Sequence, residues 1–204
     1  MYLSTLVLCL CVCVPVSLAC YPSVRHDQQT FCDSRYVFVG VVQRTIDLRS
    51  ERAFLVTVQS NLRGTVGYPG SSIFVFGFGR QNSCGPTVLQ NGQRYILYGS
   101  NDVLEPRKIS LVHHEFLSTY NINKLRNYDC SCRIAIGNRR LSDLNPVNIQ
   151  VPQNGVSPRD QCIVVHDSWS CAFRTGFCAR RLTPYGRICT YQVPLSNCVD
   201  RNLA

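Results

Sequence analysis

The chain has 204 residues, 45% of them hydrophobic and 16% charged, with a formal charge of +9. This balance excludes a disordered chain and a protein made mostly of membrane spans, and the length admits one ordinary domain or two small ones. Thirteen cysteines are too many to remain idle thiols in a reducing compartment, so their positions decide how they are read.

Residues 3–18 carry no charge and are rich in Leu, Val and Cys, and Ser17-Leu18-Ala19 sets small side chains one and three positions before Cys20. The pattern predicts a secretory signal peptide over residues 1–19. A transmembrane anchor competes with it, but the run is short for a bilayer and no basic cluster follows. A lipoprotein leader would carry Leu where Ser17 stands and would begin with basic residues. Cleavage after Ala19 would leave ten cysteines, an even number that five disulfides can use up. No other apolar stretch reaches membrane length, and there is no Asn-x-Ser/Thr acceptor. The mature protein is therefore expected to be extracellular, without a membrane span or N-glycan.

Short β-rich runs follow at residues 36–42, 54–58, 73–78, 94–98 and 108–112, separated by turn residues, and predict a small five-stranded barrel or sandwich. Asn91-Gly92, between Val88-Leu89 and Tyr95-Ile96-Leu97, offers the positive φ angles of a tight hairpin turn. Leu117, Tyr120, Leu125 and Tyr128 recur near helical spacing, which predicts a short helix closing the barrel. From Cys130 onward the chain holds seven of the ten remaining cysteines and a polar stretch with three prolines. That composition predicts a second, disulfide-stapled lobe, too small to build a large core unaided. The expected division is 1–19 leader, 20–129 barrel domain and 130–204 disulfide-rich domain.

Nineteen of the 21 basic residues are arginine, and basic residues outnumber acidic ones 12 to 8 before Cys130 and 9 to 4 from there on. Arginine forks suit sulfate and carboxylate groups, so anionic matrix polysaccharide is one candidate partner; a solvated surface is the plainer alternative. Nucleic acid conflicts with the secretory leader.

His113-His114-Glu115 could be a metal or acid/base cluster. A metalloprotease helix, however, needs a second histidine four residues after the first, and adjacent residues of a strand face opposite ways, so an exposed strand end is the better expectation. Cys130-Ser131-Cys132 is spaced too tightly for a common zinc knuckle and fits disulfides. Neither a nucleophile elbow nor a phosphate loop is present, so neither an enzyme nor a cofactor is expected.

The segment with most mechanistic content begins at Cys20. An N-terminal Cys20 followed by His26, Gln28 and Phe31-Cys32 resembles the opening of the tissue inhibitors of metalloproteinases. Ser83-Cys84-Gly85 with the run from Leu89 to Gly99 is similar to that family's segment around the partner of the first cysteine. Asn61-Leu62-Arg63-Gly64, Cys130-Ser131-Cys132-Arg133-Ile134, Gln161-Cys162, Gly176-Phe177-Cys178 and Ile188-Cys189-Thr190-Tyr191 continue the likeness over nearly the whole mature chain.

The resemblance implies a mainly β protein: a five-stranded OB-fold-like (netrin-like) barrel with flanking helices, then a small disulfide-stapled β-rich C-terminal domain. It implies the pairs Cys20–Cys84, Cys32–Cys130, Cys132–Cys189 and Cys162–Cys178, which leaves Cys171 for Cys198. It further implies a monomeric inhibitor of zinc metalloproteinases. The amine and carbonyl of Cys20 would chelate the protease's catalytic zinc, and Tyr21 would enter its specificity pocket. Pro22, Ser23, Val24, Asn82, Ser83 and Cys84 would complete the inhibitory wedge. One departure stands out: the family opens Cys-x-Cys, whereas Pro22 stands third here, and Val112 follows Ile109-Ser110-Leu111 where that cysteine's partner would be. Both ends of one bridge are missing together. With the arginines, this motivates a second reading, a non-inhibitory netrin-like module that binds or builds extracellular matrix.

Overall fold

The computed structural model describes residues 25–102, 104–137, 158–165, 171–184 and 186–193. Helix α1 (Asp27–Asp33) leads into strands β1 (Tyr36–Asp47), β2 (Glu51–Arg63), β3 (Ser72–Phe78), β4 (Arg94–Asn101) and β5 (Ile109–Phe116), followed by helix α2 (Thr119–Arg126). Beyond it come β6 (Arg133–Gly137), a single 3-10 turn (Pro158–Asp160), β7 (Gln161–Val165), the short helix α3 (Cys171–Thr175), β8 (Phe177–Thr183) and β9 (Gly186–Gln192). The protein is mainly β, and all five predicted strands and the predicted helix before Tyr128 are present.

The five long strands form a closed barrel in the order β1-β2-β3-β5-β4. All neighbours are antiparallel except β3 and β5, which run parallel over only two pairs, Val75 with Ile109 and Phe76 with Ser110. Phe38, Val42, Phe54, Val56, Val58, Val75, Tyr95 and Leu97 fill the interior, and Leu89 enters it from the loop before β4. The alternate residues of β1 and β4, Val37, Val39, Ile96 and Tyr98, point outward yet are also buried, because Phe31 of α1 and Leu125 of α2 cover them. Burial on both faces explains why these two strands read as continuous apolar runs rather than alternating ones. Gly40 of β1 is a close approach: a Cβ there would stand 2.3 Å from Val56 Cγ1.

The Asn91-Gly92 turn is present, with Gly92 at φ +79° and its N–H donating to Val42 O at 2.7 Å. It is not a hairpin between two strands. Val88 and Leu89 lie in irregular chain, because Leu89 is spent on the barrel core and the Gln90 N–H donates to Tyr95 Oη at 3.0 Å instead of joining a ladder.

Past Asp129, β6 and β7 pair in parallel and β8 and β9 form an antiparallel hairpin. Their shared core is small: Cys132, Ile134, Cys162, Val164, Cys178 and Cys189. Two disulfides, Cys132–Cys189 and Cys162–Cys178, supply much of it, as small cores require. A third, Cys32–Cys130, ties the end of α1 to the chain leaving the barrel and closes a loop with a sequence separation of 98. These are three of the pairs that the resemblance implied. Among the described residues no helix is long and apolar enough to cross a membrane.

A crosslink spanning so long a loop restricts the unfolded chain strongly. Replacing Cys32 and Cys130 together by Ser should therefore cost about 2–5 kcal/mol in chemical denaturation with the other bridges intact. An unchanged midpoint would contradict this account.

Candidate functional site

Of the wedge that the sequence pointed to, Cys20, Tyr21, Pro22, Ser23 and Val24 lie outside the described residues, as do Cys198 and the side chain of Cys171. Asn82, Ser83 and Cys84 sit in the loop that leaves β3. The base of that loop is clamped by a reciprocal pair, Phe78 N–H to Thr87 Oγ1 and Thr87 N–H to Phe78 O, both 2.9 Å. Its tip is folded by the Asn82 side chain, whose Oδ1 accepts from Cys84 N–H at 2.9 Å, and by Gly85 at φ +76°, whose N–H donates to Asn82 O. Short polar side chains that bond two residues ahead are what such turns demand. Ser83 and Cys84 are exposed at the tip. Cys84 is disulfide-bonded; the six other described bonded cysteines pair among themselves, so its partner is a cysteine whose side chain lies outside the described residues.

Immediately after the undescribed N-terminal residues the chain turns into a buried polar clasp. His26 caps α1: its Nδ1 accepts the Gln28 N–H at 3.1 Å, while Gln29 Oε1 accepts the His26 N–H at 3.1 Å. This is a capping box with imidazole in place of the usual hydroxyl. The Gln28 side chain is also buried, and its amide is matched on three sides: Nε2 donates to Asp129 O at 2.9 Å and to Cys178 O at 2.8 Å, and Oε1 accepts from Cys178 N–H at 2.7 Å. Gln29 reaches Ile134 O. Asp129 secures the same junction through Ser131 and the Arg180 N–H, and these bonds outweigh burial to hold its carboxyl below the ordinary range. At the far end of α1, Arg63 of β2 donates to Cys32 O and Ser34 O, both at 3.0 Å, placing a cation where helix carbonyls lack partners.

A second polar group lies between β4, β5 and α2. Glu115 accepts from Tyr98 Oη at 2.8 Å, its other oxygen lies 3.5 Å from Lys124 Nζ, and His113 Nε2 is 3.7 Å away. Lys124 also bonds Asp27 Oδ2 at 2.6 Å, pulling α2 onto α1. His113 lies against Tyr98 and His114 against Tyr95, yet the two imidazoles also neighbour each other, with centroids 6.2 Å apart. The expected exposed strand end is true of His113, with its side chain 46% exposed, but not of Glu115, at 15%. Residues 113 and 115 share a face, and α2 covers the Glu115 end of it, where Lys124 meets the carboxylate. Burial pushes the Glu115 carboxyl up, but the neighbouring His113, the Lys124 charge and the Tyr98 hydroxyl outweigh it and hold it at about 2.

The arginines do not form one surface class. Arg52, Arg63 and Arg180 are engaged with carbonyls and carboxylates inside the fold, whereas Arg35, Arg44, Arg94, Arg107, Arg126 and Arg187 are exposed. Both lysines of the chain, by contrast, sit in largely covered ion pairs, Lys108 with Glu51 and Lys124 with Asp27. Cys132, Cys178 and Cys189 bring their sulfurs within 4.8 Å of one another, but as members of two disulfides they offer no thiolate to a metal.

No protein-family model matches this chain, and no curated protein matches it either.

Glu115 gives a pH dependence with a defined sign. Its carboxyl is depressed from an ordinary value of 4.5 to about 2, so its contribution is fully present above about pH 4.5 and is lost as pH falls through about 2. It amounts to roughly 3 kcal/mol. Glu115→Gln should flatten the acid limb of stability against pH by about that amount, as read by denaturant midpoints between pH 2 and 6; an acid limb identical to the unsubstituted protein's would refute the assignment.

Proposed function

We propose that this protein is a secreted inhibitor of zinc metalloendopeptidases, built as a netrin-like OB-fold barrel (residues 20–129) with a disulfide-stapled C-terminal domain (130–204), and acting through the processed amino terminus at Cys20. One observation carries the reading: the bridges Cys32–Cys130, Cys132–Cys189 and Cys162–Cys178 form in the pairing that the family resemblance implies, although many other pairings of these cysteines are combinatorially available. The circular strand order β1-β2-β3-β5-β4 agrees with the fold that the same resemblance implies.

On this reading Cys84 is bonded to Cys20, and the clamped loop that carries Asn82 and Ser83 forms one side of the wedge. A rigid, pre-folded loop lowers the ordering cost of association. The free α-amine has a pKa of about 8, so at physiological pH a useful fraction is neutral and can ligate zinc. Together with the Cys20 carbonyl it would occupy the metal and displace the water that attacks the peptide bond. Tyr21 would enter the pocket beside the metal and select enzymes with room for a phenol ring. The zinc belongs to the protease.

The test is titration of the mature, correctly cleaved protein against a panel of zinc endopeptidases. The expected result is stoichiometric inhibition of at least one of them, abolished when a single Ala is added before Cys20, because an amide nitrogen cannot chelate as an amine does. Absence of inhibition across the panel at micromolar protein, or inhibition indifferent to the added residue, would overturn the proposal.

A further inference from the structure

The His26–Gln28 clasp places a titratable ring where its two nitrogens have different jobs. Nδ1 must accept, since the Gln28 N–H points at it. The ring proton therefore resides on Nε2, 3.1 Å from Tyr191 Oη of β9. The ring is buried, with Phe173 of α3 edge-on at 5.3 Å and Tyr191 edge-on at 5.9 Å. One imidazole thus caps α1 and touches two elements of the C-terminal lobe. The next residue but one, Gln28, holds the backbone of Cys178 from both sides.

We propose that His26 is a proton-operated latch between the N-terminal helix and the C-terminal sheets: taking up a proton converts Nδ1 from acceptor to donor, sets it against the Gln28 N–H, and releases the Gln28 grip on Cys178. The chemistry is a single protonation with no other reactant. An imidazolium has two N–H donors and no acceptor, so the imidazole half of the cap on a helix of only seven residues is lost. Such a short helix has little stability without its cap and its packing.

The surroundings support the direction of the switch. Burial pushes the His26 pKa below the ordinary 6.5; among the charged groups facing it, Asp27 of α1 raises it and Lys124 of α2 lowers it, and a hydrogen bond to the Phe173 backbone of α3 raises it. From β9 the ring meets the neutral Tyr191 hydroxyl, whose own pKa burial raises. The balance disfavours the cation in the closed form. The clasp is therefore fully formed above about pH 6.5, and each unit below that value favours the open form by about tenfold until the closed form itself protonates. The latch depends on no particular partner for the residues before it, so it stands apart from the protease reading.

The experiment is native-state amide hydrogen exchange of the full mature chain at pH 7.5 and 5.5, corrected for intrinsic rates. The Gln28 and Cys178 amides should lose protection at the lower pH, while barrel amides such as that of Leu97 do not. In His26→Asn, which keeps a cap acceptor but cannot take up a proton, that loss should vanish. Protection unchanged with pH in the unsubstituted chain, or an equal loss in His26→Asn, would overturn the latch. If His26→Asn fails to fold, NMR titration of the His26 ring decides: a pKa below 6.5 accompanied by a shift of the Cys178 amide supports it, and an ordinary titration with no such shift refutes it.

Discussion

The whole arrangement hangs on one buried amide, the side chain of Gln28. An amide taken out of water costs several kcal/mol unless its donors and acceptor are matched. Here Asp129 O, Cys178 O and the Cys178 N–H match all three. The three partners come from the exit of the barrel and from β8, so the helix that begins the described chain, the barrel and the C-terminal sheets can satisfy this group only by meeting at one point. Hydrophobic burial packs the interior of the barrel without fixing what lies beside it; the amide fixes that orientation because its bonds are directional.

Covalent and polar ties then act in parallel around the same junction. Cys32–Cys130 joins the end of α1 to the chain two residues before Cys132, which is itself bonded to Cys189. The Lys124–Asp27 pair draws α2 against the start of α1, and Glu115, itself held by the Tyr98 hydroxyl, gives the ammonium a second carboxylate partner. A largely buried lysine is tolerable only in such company. The residues nearest the N-terminal segment are thus held from the barrel side, the helix side and the C-terminal side at once.

The strand positions were legible because β-branched and aromatic runs separated by turn residues leave few other readings, and α2 showed its spacing. The far ends of β1 and β2 were not, since Gln43 to Asp47 and Ser60 to Arg63 are mostly polar and join the sheet through backbone pairing, the first with Arg52 to Leu55 and the second with Val37 to Val39. Helix α1 has too few residues to show a period; its only local mark was His26 three positions before Gln29, a cap signature easily passed over because the cap is a histidine. Gln28 stood out by family likeness, but its role as the meeting point depends on residues 101 and 150 positions away, which no local pattern discloses. Glu115 was undervalued for a related reason: the sequence shows that 113 and 115 share a face but not that α2 will cover it. The pairing of the three described bridges was readable only through resemblance, since an even number of cysteines admits many connectivities.

The barrel's one parallel contact has a mechanical consequence. Every other pair of neighbouring strands shares a ladder of at least six residues, whereas β3 and β5 meet at two. The hoop is therefore fastened unevenly and will part first along this line, uncurling into a bent sheet with its other pairings intact. Beside the packing of Ile109 and Leu111 on the barrel core, a charge spans this line: the Lys108 ammonium stands 4.9 Å above the Phe76 ring of β3 and 2.6 Å from Glu51 of β2. Val112, where the resembling family would anchor a crosslink, is exposed farther along β5. A charged strut thus reinforces the weakest stave of a barrel that lacks a sulfur rivet there, and its grip slackens as ionic strength rises.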